Sequence, residues 1–393
     1  FNTDGRMQER LRMIVHPEEF NRRKDAVFCA LAEVAGGRRR LWFVPLSARA
    51  WPETRTRVEA ALGRAKRPGR SALARWFKRL LLTGQYNWAR RYFSRNPGHM
   101  AVAWNGLTGG RKVFLDAARD AGAAVLHVEL APLPGRITLD PCGVNAESSV
   151  PRDLAVIESW ARQTRTRAGT WHALQERLQA RPSRRSDVRQ VEGSLPETPY
   201  LFCPLQVPDD SQVRLFSGWC GGYSGFIAAL TEASRHLPEG WHLRLKEHPS
   251  ARHSIADLLA PLLETGRAVL DNDSDSFAQI GSSAGVVTLN SSMGLQAFFH
   301  DKPVIVLGRA LFALPGLVTA CTSQSDVNAA FAGAATAGFD PARREDFMDW
   351  LDQVYYPGFE WTADGARFDR SAFAARLEQA RAARQSVRSC ANT

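Results

Sequence analysis

Between Tyr200 and Leu307 five short strand-like runs recur: Tyr200–Cys203, His242–Lys246, Ala268–Leu270, Val286–Leu289 and Pro303–Leu307. Helix-length stretches separate them, and each run stops at a proline, a glycine or a cluster of polar residues. A chain with this rhythm has few options, because parallel strands need crossover helices and those crossovers are right-handed. The expected class is α/β, a doubly wound Rossmann-like sheet. In such sheets ligands bind outside the carboxyl ends of the strands, so the polar residues that end each run are the candidate site.

Three of those ends carry chemistry. After Pro204 come Gln206, Asp209, Asp210, Ser211 and Gln212, two adjacent carboxylates among amides and a hydroxyl. An Asx-type turn with solvated aspartates would look the same. Lys246-Glu247-His248-Pro249 sets a cation and an imidazole at a strand end, and Pro249 stiffens the turn that aims His248. A protonated histidine there can balance a departing phosphate. Asn290-Ser291-Ser292-Met293-Gly294 opens a predicted helix from Leu295. Free N–H groups, two hydroxyls and a glycine permitting close approach suit a phosphate, although a serine N-cap alone explains part of the pattern. Asp271-x-Asp-x-Asp275 lacks glycine at the sixth position (Ser276) and glutamate at the twelfth (Ser282), which excludes an EF-hand. Neither GxGxxG, a Walker A sequence nor GxSxG occurs.

The first half repeats the rhythm less cleanly. Leu41–Pro45 and Met100–Trp104 are predicted strands, the latter ending in Asn105-Gly106. A helix over Arg111–Ala121 and a strand over Ala123–Glu129 follow. An irregular stretch rich in Pro and Gly then reaches Asn145, Ser148 and Ser149, a further loop of the kind where binding groups gather. Residues 64–95 are rich in Arg and Lys, with Leu73, Phe77, Leu80 and Leu81 at helical spacing and Arg75, Lys78 and Arg79 off that stripe. The expected role of the stripe is packing into its own domain; the other role open to it is lying on an anionic membrane. After a predicted helix over 153–180, residues 181–197 have linker composition. The expected domains are 1–190, 191–365 and a C-terminal helical tail, 366–393.

Net charge of +11 across 393 residues suggests an anionic partner. The arginines are dispersed and no zinc-finger, RRM or KH signature occurs, which argues against nucleic acid. No run nears the roughly 20 apolar residues that cross a bilayer, and the first residues lack a signal peptide's pattern. Six scattered cysteines without metal-ligand spacing read as reduced thiols.

Three stretches together resemble the bacterial capsule polysaccharide biosynthesis proteins, retaining β-Kdo glycosyltransferases (Kdo is 3-deoxy-D-manno-oct-2-ulosonic acid). They are Leu133–Asn145 with Ser148–Pro151, Pro204–Gln212, and Lys246–Pro249 paired with Asn290–Leu295. The resemblance runs from about residue 100 to 318. It implies a GT-B fold, two Rossmann-like domains facing a cleft, with CMP-Kdo held mainly by the C-terminal domain. It also implies a lipid-linked or Kdo-terminated acceptor on the N-terminal side, near Asn105, Asn145, Ser148 and Ser149. The Gln-x-x-x-Asp pattern falls on Gln206 and Asp210, making Asp210 the implied nucleophile and Asp209 a bystander. His248 would meet the CMP phosphate, with Ser211, Gln212, Lys246 and Asn290 to Gly294 around the nucleotide. Glu129 falls where the family has an acidic acid/base partner, in a Val-Glu-Leu-Ala context where Glu-x-Gly is usual. No metal or cofactor is expected, and the expected location is cytoplasmic, peripheral on the inner face of the inner membrane. Other readings are a GT-B transferase using CMP-sialic acid or a UDP-sugar, and a non-catalytic capsule-assembly component.

Overall fold

In the computed structural model residues 12–384 are described, apart from 18–20, 67, 68, 70, 181, 194 and 196. The chain forms two units, one of residues 1–131, 135–150 and 353–393, the other of 132–134 and 151–352.

The first unit opens with β1 (Met13–Val15), α1 (Arg22–Ala35), β2 (Arg38–Arg40), α2 (Thr54–Gly63), α3 (Ala72–Arg95) and β3 (Met100–Trp104). α4 (Gly109–Asp120), β4 (Ala124–Leu130) and β5 (Ile137–Asp140) complete its sheet, ordered β2-β1-β3-β4-β5. All pairings are parallel except β4 with β5. Alternate residues serve opposite faces, as the period of two in a strand requires. Met13, Val15, Met100 and Val102 pack with α1, whereas Ile14, Ala101 and Ala103 pack with α3 and α4. A sheet covered on both faces is the doubly wound arrangement.

The second unit runs α5 (Leu154–Gln163), β6 (Tyr200–Pro204), α6 (Ser211–Phe216), α7 (Tyr223–Ser234), β7 (His242–Lys246) and α8 (Ala256–Leu263). Next come β8 (Ala268–Leu270), α9 (Ser276–Ser282), β9 (Gly285–Thr288), α10 (Ser292–Gln296), β10 (Val304–Val306), β11 (Thr319–Ala320), α11 (Gln324–Ala332) and α12 (Pro341–Trp350). Its sheet is wholly parallel, ordered β11-β10-β9-β6-β7-β8. The five strands expected from sequence all form. The chain then returns to the first unit with the hairpin β12 (Phe359–Thr362) and β13 (Gly365–Phe368), and α13 (Arg370–Ala383). Phe359, Phe373, Leu377 and Ala380 join the core over β1, β3 and β4.

Several expectations are corrected. The division falls at 150/151 instead of 190/191. Residues 183–191 are tied into the second unit, the Ser183 hydroxyl donating to the Arg185 and Pro249 carbonyls and Val191 bridging Ser274. Residues 366–384 are no separate tail, since α13 completes the first core and Arg376 Nε donates to the Leu139 carbonyl. The predicted helix over 153–180 breaks after Gln163, and Gly169 takes φ +72°. The early strand is Arg38–Arg40, and Trp42 and Phe43 stand exposed beyond it. Cys142 is disulfide-bonded, against the expectation of reduced thiols, while Cys29, Cys203, Cys220 and Cys321 are free.

Candidate functional site

In the second unit the chain builds β6, β7 and β8 outward in one direction and then places β9 on the opposite side of β6. The strand order therefore reverses between β6 and β9, where an open α/β sheet leaves a crevice at its carboxyl edge. Two amides span that point. Gln206 Nε2 donates to Asn290 Oδ1 at 2.9 Å, and the Asn290 N–H donates to Gln206 Oε1 at 3.3 Å. Asn290 Nδ2 donates onward to the Gln212 and Phe216 carbonyls, each at 3.0 Å. Both protons of the Asn290 amide nitrogen are committed, so this residue fixes the loops instead of presenting its amide to a ligand.

Asp210 follows from the same loop. It is the exposed N-cap of α6, its Oδ1 accepting the Gln212 N–H at 2.8 Å. The capping turn and the expected reactive carboxylate are one residue, because the cap engages Oδ1 and leaves Oδ2 outside the capping bond. Ser211 and Gln212 form the first turn of α6.

Beside this edge lies an open cleft lined by residues of the second unit that include Leu205, His248, Phe277, Ser291, Ser292 and Gln296. Asp210, Gln206 and Asn290 are not among its lining residues. His248 Nδ1 accepts the Ser250 N–H at 3.0 Å, which puts the ring proton of the neutral imidazole on Nε2. Ser291 caps α10, its Oγ accepting the Met293 N–H at 3.2 Å, and Ser292 begins that helix.

Two expected ligands have other duties. Lys246 is buried, and its Nζ donates to the carbonyls of Arg189 at 2.7 Å, Asn272 at 3.0 Å and Ser274 at 2.7 Å. An ammonium has three protons, so none remains for a phosphate. Gly294 is buried, and a Cβ there would stand 2.9 Å from the Phe312 ring and 3.0 Å from the Thr288 methyl. Glycine is required for packing at this position, not for a ligand's approach.

What aims His248 is its neighbour Glu247, which is 1% exposed. Its Oε1 accepts the Ser254 hydroxyl at 3.0 Å and the Ile255 N–H at 2.6 Å, and its Oε2 accepts from Asn272 Nδ2 at 3.1 Å and pairs with Arg185 at 2.8 Å. Glu247, Asn272 and Arg185 were not singled out from sequence. The signal was a carboxylate beside a strand-end histidine, and its partners lie too far along the chain to be read. Gln190 and Phe277, also in the cleft wall, were likewise missed. Gln190 Oε1 accepts from the Ser276 N–H and hydroxyl, while its buried Nε2 has no protein partner among the described residues. Among the described residues no three His, Cys, Asp or Glu are grouped to hold a metal ion.

The first unit holds the remaining candidates in two places. Asn105, at the end of β3 with φ +60°, donates from Nδ2 to Glu129 Oε2 at 2.9 Å. Glu129 is half-buried at the end of β4, and its Oε1 accepts the Leu130 N–H. Burial raises its pKa, with the hydrogen bonds from Asn105 and Leu130 and the charge of Lys24 pulling the other way. Asn145, Ser148 and Ser149 belong instead to a knot around Asp140. Ser149 donates to Asp140 Oδ2 from N–H at 2.8 Å and from its hydroxyl at 2.7 Å, the Tyr355 hydroxyl donates to the same oxygen at 2.8 Å, and Ser148 Oγ donates to the Asn145 carbonyl. These serines hold the loop closed. His16, unpredicted, ends β1 where this sheet's strand order reverses; burial and the charge of Arg111 lower its pKa to about 4, so its imidazole is neutral.

A family model described as capsule polysaccharide biosynthesis protein matches residues 172–348, which hold the cleft, His248, Asp210 and Asn290. The chain resembles the capsule polysaccharide biosynthesis proteins. Protein FixF of Sinorhizobium fredii is 28% identical over 287 residues, covering 72% of this chain and 67% of that protein. The capsule polysaccharide modification protein LipB of Neisseria meningitidis is 32% identical over 125 residues, which is 30% of each chain. Among solved structures, the KpsC β-Kdo 2,7 transferase of Thermosulfurimonas dismutans aligns over 93% of this chain and 99% of its own. Its TM-score is 0.50 at 14% identity, a likeness of fold. The fold is α/β of the GT-B type, built from two Rossmann-like units.

Proposed function

We propose that the chain is a retaining β-Kdo glycosyltransferase of capsular polysaccharide biosynthesis, transferring Kdo from CMP-Kdo to a lipid-linked or Kdo-terminated glycan. The observation that carries this reading is the wall of the second unit's cleft. His248, with its Nε2–H fixed by the Ser250 bond, and the Ser292 hydroxyl follow the two strands that flank β6, inside the segment that the capsule family model matches. These groups suit the single phosphate of CMP, and Phe277 with the Gln190 amide suits a nucleobase. The likeness to KpsC, a β-Kdo transferase, supports Kdo as the transferred sugar.

Retention follows from two displacements. Asp210 Oδ2 bonds to the anomeric carbon as that carbon's bond to phosphate oxygen breaks, and the electron pair leaves on CMP. An acceptor hydroxyl then attacks the same carbon, loses its proton to a carboxylate base, and returns Asp210 to its ionised state. Glu129, whose burial raises its proton affinity, is the assigned base. The donor is a substrate and the reading invokes no cofactor. The proposed location is the inner face of the inner membrane, as a peripheral protein. No helix among the described residues is long and apolar enough to cross a bilayer.

Asp210→Asn tests the nucleophile cleanly, because asparagine preserves an oxygen for the Gln212 N–H. With CMP-Kdo and a Kdo-terminated acceptor the variant is expected to lose at least about 1,000-fold in transfer, while melting within a degree or two of wild type. Full transfer by a folded Asp210→Asn protein removes Asp210 from the role. Calorimetry with CMP, UMP and UDP checks the donor, and a preference for UDP counts against Kdo.

A further inference from the structure

The N-terminal part of α3 stands out from its own unit. From Leu82 onward the helix packs through Leu82, Tyr86, Ala89 and Phe93, but the side chains of residues 72–81 are exposed or half-exposed. Five of those ten are large and apolar: Leu73, Trp76, Phe77, Leu80 and Leu81, each between 47% and 63% exposed. Their spacing of three and four residues makes one continuous stripe. Among the described residues no core covers this stripe.

A second element extends the stripe. The turn after β2 carries Trp42 and Phe43, which are 75% and 70% exposed, and Leu46 at 60%. A Cβ on Gly84, the next position along the stripe, would lie 3.0 Å from Leu46, and the Ser47 N–H donates to the Gly84 carbonyl at 3.0 Å. The turn is thereby fixed against the helix, and the two apolar groups are joined. Of the fourteen large apolar side chains exposed among the described residues, eight lie in these two segments. So dense a patch on one side of one unit marks an interaction surface.

Charge selects the occupant. No Asp or Glu occurs between Glu59 and Asp116, whereas twelve Arg and Lys do. Arg75, Lys78 and Arg79 leave α3 off the stripe, Arg79 in a paired contact with Glu59, and Arg39 and Arg49 flank the turn. A second copy of this chain would bring like charge against like. An anionic headgroup layer complements the cations, its acyl boundary accepts the stripe, and tryptophan is favoured at that depth. We propose that Trp42–Leu46 and the first three turns of α3 form a docking surface for an anionic phospholipid bilayer. This deepens the peripheral location proposed above by naming the surface that would serve it, and it does not depend on the transferase chemistry.

The test floats the full chain with vesicles of phosphatidylcholine alone, and with roughly a third phosphatidylglycerol, without donor or acceptor. Wild type is expected to bind the anionic vesicles and to be released by added salt. Trp76→Ser with Phe77→Ser and Leu80→Ser should weaken that binding by on the order of 100-fold. Arg75→Ala with Lys78→Ala should weaken it about tenfold, on anionic vesicles only. Wild-type protein that stays with the soluble fraction, or a triple variant that floats unchanged, overturns the proposal. So does a lipid-free dimer that the triple variant dissolves, which would assign the surface to a second copy. Circular dichroism matching wild type confirms that the variants fold, and the charge pair removes no apolar contact in any case.

Discussion

Glu129 shows how one residue joins stability to chemistry. Its folded pKa lies above the ordinary 4.5, because burial disfavours the charge by more than Asn105 and Leu130 restore. Stability linked to this group is therefore complete below pH 4.5 and is lost as pH rises through the folded value. Glu129→Gln retains an oxygen for Asn105 and carries no charge. Its stability relative to wild type should shift in the variant's favour as pH rises above 4.5, read from urea midpoints at several pH values. With the carboxylate as the base, wild-type transfer should rise as Glu129 ionises, and the variant's transfer should fall further behind wild type over the same range. A difference that stays flat with pH contradicts the burial argument. At this scale sequence showed which residues could act but not which were occupied. Lys246, Asn290 and Ser149 carry suitable groups, and each spends them on partners many residues away. A hydrogen-bond partner distant in the chain leaves no local pattern.

Among the elements, the strands of the second unit were legible because β6, β7, β9 and β10 are buried on both faces and all are bounded by proline, glycine or polar turns. The first unit misled for a physical reason. β2 is three arginines on an edge strand, which needs no apolar face, and the apolar Trp42-Phe43 beside it is exposed turn. Hydrophobicity reports what will be covered, and here the nearby apolar residues face outward. The stripe on α3 repeats the lesson, since its period gives a helix correctly and its burial wrongly. Across the two halves of the second sheet, the Gln206–Asn290 amide pair is the joint that sets one candidate loop against another. Gln206→Ala and Asn290→Ala should each cost about 1–3 kcal/mol, with a coupling of about 0.5–3 kcal/mol in the double-mutant cycle. Additive losses would mean that the pair does not act as a unit.

For the whole molecule, the second unit is enclosed within the chain of the first. Its core, from Leu201 and Leu243 to Ile305 and Phe331, draws on no residue of the first unit. Residues 151–352 expressed alone should fold cooperatively and bind CMP with an affinity within about threefold of the full chain. A fragment that is folded but indifferent to CMP would place part of the nucleotide site elsewhere. The first unit does not share this independence. Phe373, Leu377 and Ala380 of α13 share a buried cluster with Val27, Leu31, Leu126 and Val128, and they follow the enclosed unit in the chain. On the ribosome, at about 5–20 residues per second, the 202 residues of 151–352 take on the order of 10–40 s to emerge. For that interval the nascent first sheet waits with one apolar face covered by α1 alone, so the half that begins synthesis first finishes folding last. Translation pauses after residue 150 should therefore expose this protein to chaperones and proteases more than pauses before it.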